Sequence, residues 1–186
     1  MDLFDDTPII WLANQHADTA TAKAVVNHLL PDGITDEARA FHAQMPGFEM
    51  TPLKRLNQLA SRLGLGGIWV KDEAARMRLN AFKALGGSFA IYRFICQKVG
   101  RPRLTFAELM SDEIRAAVGD ITFTSATDGN HGKGLAWAAR KLGFPCVIYV
   151  HKLTSQARIA AIAEYEAEVR VVDGNYDDAV RQCEQD

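Results

Sequence analysis

One lysine of this chain has apolar neighbours on both sides. Lys83 follows Phe82 and precedes Ala84 and Leu85, just before paired glycines and a long amphipathic stretch. Removing an ammonium group from water is costly, so apolar surroundings favour the neutral amine, which is a nucleophile. Such an amine can form a covalent imine with a carbonyl compound. The alternative is a lysine at a helix start whose ammonium group simply reaches water.

A second polar segment, residues 124–134, could bind an anion. It contains three glycines, the hydroxyls of Thr124, Ser125 and Thr127, and the polar side chains Asp128 and Asn130. In α/β sheets, ligands bind at the carboxyl ends of strands, against the backbone N–H groups of a helix N-terminus. The segment therefore suits a carboxylate or a phosphate, with Asp128 as a possible proton carrier. The alternative is a tight strand-to-helix turn in which Asp128 or Asn130 caps the helix.

Composition argues against several classes of protein. The chain has 186 residues and a formal net charge of -2, a balance that does not predict nucleic-acid binding. No apolar run approaches the roughly 20 residues of a membrane span. Three widely spaced cysteines and five scattered histidines predict neither a disulfide framework nor a metal site. The acidic start of the chain lacks the features of a signal peptide, so we expect a cytoplasmic protein.

Start and stop signals predict the elements that must position these residues. We expect helices over about 19–30, 35–45, 51–63, 86–99, 105–119, 134–142, 154–165 and from 176, with strands at 67–70, 121–125, 145–150 and 168–172. From Ile121 onward, strands and helices alternate, which predicts βαβ units with a parallel sheet. We expect two parts, a helical lead-in with the lysine segment over 1–100 and a smaller α/β domain over 101–186.

Two separated motifs resemble the pyridoxal-phosphate enzymes of fold type II, the tryptophan synthase β-like superfamily. They are Asn-Ala-Phe-Lys-Ala-Leu-Gly-Gly at 80–87 and Thr-Asp-Gly-Asn-His-Gly at 127–132. Within that superfamily the chain looks most like the diaminopropionate ammonia-lyases, because Asp128 stands where serine/threonine dehydratases usually carry a small residue. The resemblance covers most of the chain beyond residue 47. It implies a three-layer αβα fold with a mostly parallel sheet.

The resemblance also implies a site and a reaction. Lys83 would hold pyridoxal 5'-phosphate covalently and move the proton on the substrate's Cα, while Asn130 would hydrogen-bond the ring hydroxyl. The segment containing Ser125, Thr127, Asp128 and Gly129 would receive the carboxylate of a small amino-acid substrate. Asp128 would handle a proton on Cα or on the departing β-amino group. The implied enzyme is a carbon–nitrogen lyase that eliminates ammonia from 2,3-diaminopropionate and gives pyruvate.

The chain departs from the family pattern in ways that leave alternatives open. Two parts of the family fold, the glycine-rich phosphate cup and the partner of the pyridine nitrogen, have no counterpart in residues 1–186. We therefore expect an N-terminal portion of the fold, with Phe89, Tyr92 and Ile95 left uncovered, and Glu166 at a helix exit where the superfamily usually has glycine. The alternatives are a serine/threonine dehydratase-like enzyme, and a non-catalytic fragment that acts as a binding or pairing module. A homodimer is possible.

Overall fold

The structure, a computed structural model, describes residues 25–26, 30 and 32–186. The chain divides into one unit at Met1–Glu37 and a second at Ala38–Asp186, and the second unit contains every candidate site residue. Most of the helix predicted over 19–30 lies outside the described residues. The predicted boundary near residue 100 stays a prediction.

Residues 32–186 contain five short strands and eight α-helices, which alternate without interruption only from Phe123 onward. The strands are β1 Leu53–Arg55, β2 Trp69–Lys71, β3 Phe123–Ala126, β4 Cys146–His151 and β5 Glu168–Val172. The helices are α1 Ile34–Ala43, α2 Asn57–Arg62, α3 Lys83–Lys98, α4 Phe106–Leu109, α5 Asp112–Val118, α6 Asn130–Leu142, α7 Gln156–Ala163 and α8 Tyr176–Gln185. A kinked 3₁₀ segment at Glu73–Arg78 precedes α3.

Two sheets organise these elements. Strands β1 and β2 form an antiparallel pair, while β3, β4 and β5 form a parallel sheet in that order. Phe123 lies opposite Cys146, and Val147 lies opposite Glu168, with α6 and α7 as the connections between consecutive strands. The central strand β4 is the most buried of the three, as expected for a parallel strand covered by helices. The predicted βαβ order with a parallel sheet is therefore confirmed.

Helices α3 and α6 cross at two glycines. A Cβ atom on Gly134 would lie 2.8 Å from the Ala84 nitrogen and 2.9 Å from the Lys83 carbonyl carbon. A Cβ atom on Gly87 would lie 3.4 Å from the Leu135 Cα. Because glycine has no Cβ, the two backbones approach each other more closely than larger residues would allow. The crossing places the first turn of α3 directly against α6.

One face of α3 is buried in the core. Tyr92 and Ile95 are buried and Phe89 is partly buried, so the expectation that this face is uncovered was wrong. The reason is that α1 supplies an aromatic cover, since the ring of Phe41 stacks on Tyr92 with their centroids 4.4 Å apart. Burying these aromatic side chains is a large hydrophobic contribution to the core.

Several predicted boundaries were wrong for local reasons. The Thr51-Pro52 signal predicted a helix, but the chain first forms β1, and α2 begins only at Asn57. The predicted helix over 105–119 is two helices, because Ser111 provides a second N-cap by accepting a hydrogen bond from the Ile114 N–H over 3.3 Å. The Thr105–Glu108 capping box, by contrast, is confirmed.

The exit of α7 uses a residue that strains the backbone. Glu166 has φ 62°, in the left-handed region that favours glycine. Its N–H donates to the Ala163 carbonyl over 2.9 Å, and its carboxylate pairs with Arg140 over 2.7 Å. These contacts stabilise Glu166 at the end of α7, where the family resemblance leads us to expect glycine.

Within the part of the chain that the structure describes, we find no helix both long and apolar enough to span a membrane.

The helix crossing predicts a sharp contrast between two glycine substitutions. Gly134→Ala places a Cβ against the backbone of α3, so we expect it to destabilise the chain by about 1–3 kcal/mol. Gly86→Ala, in the same helix pair, is the matched control, because its Cβ would meet nothing within 4 Å. We expect it to raise the free energy of unfolding by about 0.5–1 kcal/mol. Urea unfolding measures both. Equal effects of the two substitutions would contradict the crossing geometry.

Candidate functional site

Lys83 is the first residue of α3, three residues earlier than the predicted helix start. Its side chain is exposed, with Nζ 5.0 Å from the centre of the Phe82 ring. The expected apolar setting of this lysine was therefore wrong for the described chain. The reason is helical geometry, which turns successive side chains by about 100°, so that Ala84 is buried while Phe82 is 56% exposed.

The turn before Lys83 has an unusual backbone. Met77, Arg78 and Asn80 have φ values of 48°, 60° and 58°, in a region that residues other than glycine seldom adopt. Met77 and the intervening Leu79 are buried in the core, which holds the turn in place. Backbone strain of this kind often accompanies functional sites, and here it lies directly before the candidate lysine.

A buried ion pair supports that turn. The side chain of Arg76 is 5% exposed, and its Nε donates to Glu73 Oε2 over 2.7 Å. Its other nitrogens donate to Thr51 Oγ1 over 2.9 Å and to the Glu49 carbonyl over 2.7 Å. The guanidinium also lies 5.2 Å from the centre of the Phe48 ring. The hydrogen bond from Arg76 is the main reason that the pKa of Glu73 falls to about 2.

The second half of the site lies between β3 and α6. The Thr127 N–H donates to the Tyr149 carbonyl over 2.9 Å, which continues the β3–β4 ladder beyond the end of β3. A Cβ atom on Gly132 would lie 3.1 Å from Thr127 Cγ2 and 3.2 Å from Ile148 Cγ2. Gly132 therefore allows the first turn of α6 to pack closely on the sheet.

Helix α6 begins four residues earlier than predicted, at the exposed Asn130. The residue before it, Gly129, makes no side-chain capping bond, so neither Asp128 nor Asn130 is the N-cap. The predicted capping residues are therefore wrong, while the tight connection from β3 to α6 is present. The first N–H groups of a helix have no intrahelical partner and carry a partial positive charge, which suits an anionic ligand.

Asp128 is turned towards two basic side chains. Arg158 Nη1 donates to Asp128 Oδ2 over 2.8 Å, and His151 Nε2 lies 3.5 Å from the same oxygen. A cavity of about 240 Å³ adjoins these residues. Its lining consists of Asp128, Gly129, Asn130, Lys133, Arg158, Ala161 and Ile162.

The structure brings some of the predicted site residues together and leaves others apart. Asp128, Gly129 and Asn130 share the 240 Å³ cavity, while Lys83, Ser125 and Thr127 do not line it. Ser125 lies within β3, opposite Ile148. The backbone of Lys83 packs against Gly134 of α6, which is one helical turn from Asn130. A larger cavity of about 1050 Å³ is lined by residues near the other end of α6 and by none of the predicted site residues.

Sequence reasoning missed Arg158 and His151. Arg158 is one basic residue on a helix of ordinary pattern, and His151 was considered only as a metal ligand. In the described residues 25–26, 30 and 32–186, no group of three or more His, Cys, Asp or Glu side chains could hold a metal ion. No local motif marks either residue, because the contact joins the β3–β4 connection, which contains Asp128, to the end of β4 and the β4–β5 connection, which contain His151 and Arg158.

The comparison with protein families decides the class of this site. Residues 45–186 match the family model described as pyridoxal-phosphate dependent enzyme. The chain belongs to this family. The predicted fold, tryptophan synthase β-like with a parallel sheet and flanking helices, is thereby confirmed, and pyridoxal phosphate is the cofactor of the family.

Individual relatives show which enzymes of the family this chain is similar to. The diaminopropionate ammonia-lyase of Salmonella typhimurium is 46% identical over 155 residues, which are 82% of this chain and 38% of the relative. A crystal structure of the Escherichia coli enzyme in complex with D-serine has a TM-score of 0.76 and 43% identity, covering 84% of this chain and 40% of that one. A second crystal structure of that enzyme, in complex with an aminoacrylate-PLP azomethine reaction intermediate, has a TM-score of 0.72 and 40% identity. It covers 84% of this chain and 39% of that one. The chain thus spans about two fifths of these relatives' length.

The residues present fit the family's cofactor. Pyridoxal phosphate needs an accessible amine, and Lys83 is exposed at a helix start. It also needs hydrogen-bond donors for its anionic groups. The α6 N-terminus has no side-chain cap and the amide of Asn130 is exposed, so both are available as donors.

The buried ion pair predicts a distinct pH dependence of stability. Because the pKa of Glu73 falls from 4.5 to about 2 on folding, its contribution is present above pH 4.5 and lost as the pH falls towards 2. We expect Glu73→Gln to cost about 2 kcal/mol at pH 7, with a smaller cost at pH 3. Urea unfolding at both pH values measures this, with the exposed Glu184→Gln as control. An equal cost of Glu73→Gln at both pH values would contradict the prediction.

Proposed function

We propose that this chain carries the cofactor-binding lysine and the substrate-binding segment of a diaminopropionate ammonia-lyase. The reaction is the elimination of ammonia from 2,3-diaminopropionate to give pyruvate and ammonia. The observation that carries this proposal is the helix crossing, which sets Lys83 against the helix that begins at Asn130, directly after Asp128. The 46% identity to the Salmonella typhimurium enzyme supports the choice of reaction.

Lys83 and Asn130 are proposed to hold the cofactor. When bound, pyridoxal phosphate supplies an electron sink for the bond that breaks at the substrate's Cα. The exposed Nζ of Lys83 would hold the cofactor covalently and, as a free amine, would accept the proton from the substrate's Cα. The Asn130 amide hydrogen-bonds the ring hydroxyl and sets the orientation of the ring.

The substrate carboxylate is proposed to bind at the segment containing Ser125, Thr127 and Gly129. The first N–H groups of α6 have no side-chain cap, so they can donate to a carboxylate. Close packing of Thr127 against Gly132 holds this segment in one conformation. A fixed carboxylate limits the rotation of the substrate and so orients the bond that breaks.

Asp128 is proposed to interact with the substrate's second ammonium group. A carboxylate is suited to this task, because 2,3-diaminopropionate carries an ammonium group at the position of the hydroxyl in serine. Asp128 also moves a proton on Cα or on the departing amine. Release of pyruvate from 2,3-diaminopropionate but not from serine separates this reaction from that of a serine/threonine dehydratase.

The exposure of Lys83 favours a second candidate function. An exposed lysine without an ion pair among the described residues is also what a non-catalytic module would have. In that case the chain binds or pairs with another polypeptide and holds no cofactor. We propose further that the protein works as a homodimer in the cytoplasm, and the lack of a disulfide at Cys96, Cys146 or Cys183 agrees with a reducing compartment.

The lyase proposal predicts selective attachment of pyridoxal phosphate to Lys83. Mixing the purified chain with the cofactor should give a near-visible absorbance band, and borohydride reduction followed by peptide mapping should place the cofactor on Lys83. Lys83→Ala should remove the band. Lys98→Ala is the matched control, because Lys98 lies at the other end of α3 with its Nζ 6.0 Å from the Phe94 ring.

A flat spectrum, or cofactor spread evenly over many lysines, would contradict the assignment of Lys83. It would support the non-catalytic candidate for this chain.

A further inference from the structure

The carboxylate of Asp128 already has a cation beside it. Arg158 Nη1 and His151 Nε2 both lie at Oδ2, at 2.8 Å and 3.5 Å. Within the described part of the chain, Asp128 Oδ1 has no hydrogen bond or ion pair. Because both basic groups use one oxygen, the other oxygen is available to a ligand in the adjoining cavity.

His151 orients this carboxylate and does not take a proton from it. The backbone N–H of Leu153 donates to His151 Nδ1 over 3.2 Å, so Nδ1 is the unprotonated nitrogen of the neutral ring. The ring proton is therefore on Nε2, on the side of Asp128. The protonated Nε2 lies 3.5 Å from Asp128 Oδ2, beyond a good hydrogen bond, so His151 restricts the position of the carboxylate by proximity and does not take its proton.

Arg158, in contrast, is held weakly. It lies near the start of α7, with its side chain 61% exposed, while that of Asp128 is 32% exposed. Its contact is a single N–O hydrogen bond, not the paired contact that makes arginine–carboxylate bonds strong. Ion pairs with this exposure contribute little, because water screens both charges. Another cation can therefore replace Arg158 at Asp128.

The charges around the cavity make this exchange relevant to the substrate. Lys133 and Arg158 are the basic side chains of the lining, and Asp128 is its acidic side chain. A diamino acid has one more ammonium group than serine, and in this lining that group can pair with Asp128. The ammonium group and Arg158 consequently pair with the same carboxylate, that of Asp128.

We propose that Arg158 determines specificity by competing with the second ammonium group of a diamino acid for Asp128. The inference rests on the proposed function, since it concerns the same substrate. While Arg158 occupies the carboxylate, the site holds a neutral ion pair, and its preference for diamino acids over hydroxy acids is reduced. When the ammonium group binds, Arg158 moves into solvent and His151 continues to orient the carboxylate. Removing Arg158 eliminates the competitor and a repulsive positive charge, and both effects favour the diamino acid.

Ligand titrations of the cofactor-free chain test this proposal. The probes are 2,3-diaminopropionate and serine, and the dissociation constants come from the amide NMR signals of Gly129 and Asn130. We expect Arg158→Gln to lower the dissociation constant for 2,3-diaminopropionate about threefold or more and to leave that for serine nearly unchanged. Arg158→Lys keeps the charge and should resemble the unmodified chain. Asp128→Asn should remove the preference for the diamino acid.

Arg181→Gln is the matched control, because Arg181 also pairs with an aspartate and is 60% exposed, but lies on α8. It should change neither dissociation constant. Unchanged or weaker binding of 2,3-diaminopropionate to Arg158→Gln would overturn the competition while leaving the proposed function intact. An equal gain for serine would overturn it as well. If 2,3-diaminopropionate shifts no signal in any variant, the proposed substrate site itself is wrong, and the competition is wrong with it.

Discussion

The candidate site depends on the contact between the backbones of two helices. Gly134 of α6 lies against the Lys83–Ala84 peptide of α3, and any larger residue there would push the helices apart. This contact joins two segments that are distant in the chain, and the 3₁₀ turn and the β3–α6 connection are each arranged around it. A steric requirement, and not a polar bond, therefore sets the separation between the lysine and the N-terminus of α6.

Polar interactions lie next to both helices of that contact, at the turn before α3 and at the segment before α6. Arg76 and Glu73 hold the strained turn from which α3 starts, and burial makes this ion pair costly to break by removing one partner. On the other side, His151 and Arg158 hold Asp128 at the edge of a small cavity. The first pair is largely buried, with side-chain exposures of 6% and 18%, whereas the side chain of Arg158 is 61% exposed. The proposed site thus has a more buried ion pair beside the lysine segment and a more exposed one beside the cavity.

Local sequence signals predicted much of the fold and less of the site. The βαβ order from Ile121 onward and the Thr105–Glu108 capping box follow from periodicity and capping chemistry, and both are confirmed. The starts of α3 and α6 were predicted too late, at Gly86 and Gly134, whereas the helices begin at Lys83 and Asn130. In α6 the first turn includes Gly132, which packs closely on Thr127 and Ile148. The partners of Asp128 could not be predicted, since His151 and Arg158 reach it only through tertiary structure. The roles of Lys83 and Asn130 came from a family resemblance and stay predictions.

The most direct test of this account measures where Lys83 lies along α6. A nitroxide label on Lys83→Cys, with the half-buried Cys183 replaced by serine, broadens the amide NMR signals of nearby residues. The buried Cys96 and Cys146 are shielded from the label. The account predicts that broadening is strongest at residues 130–134 and declines towards 140–143. Broadening that is equal along α6, or strongest at its C-terminal end, would contradict the shared location of the lysine and the anion-binding helix end.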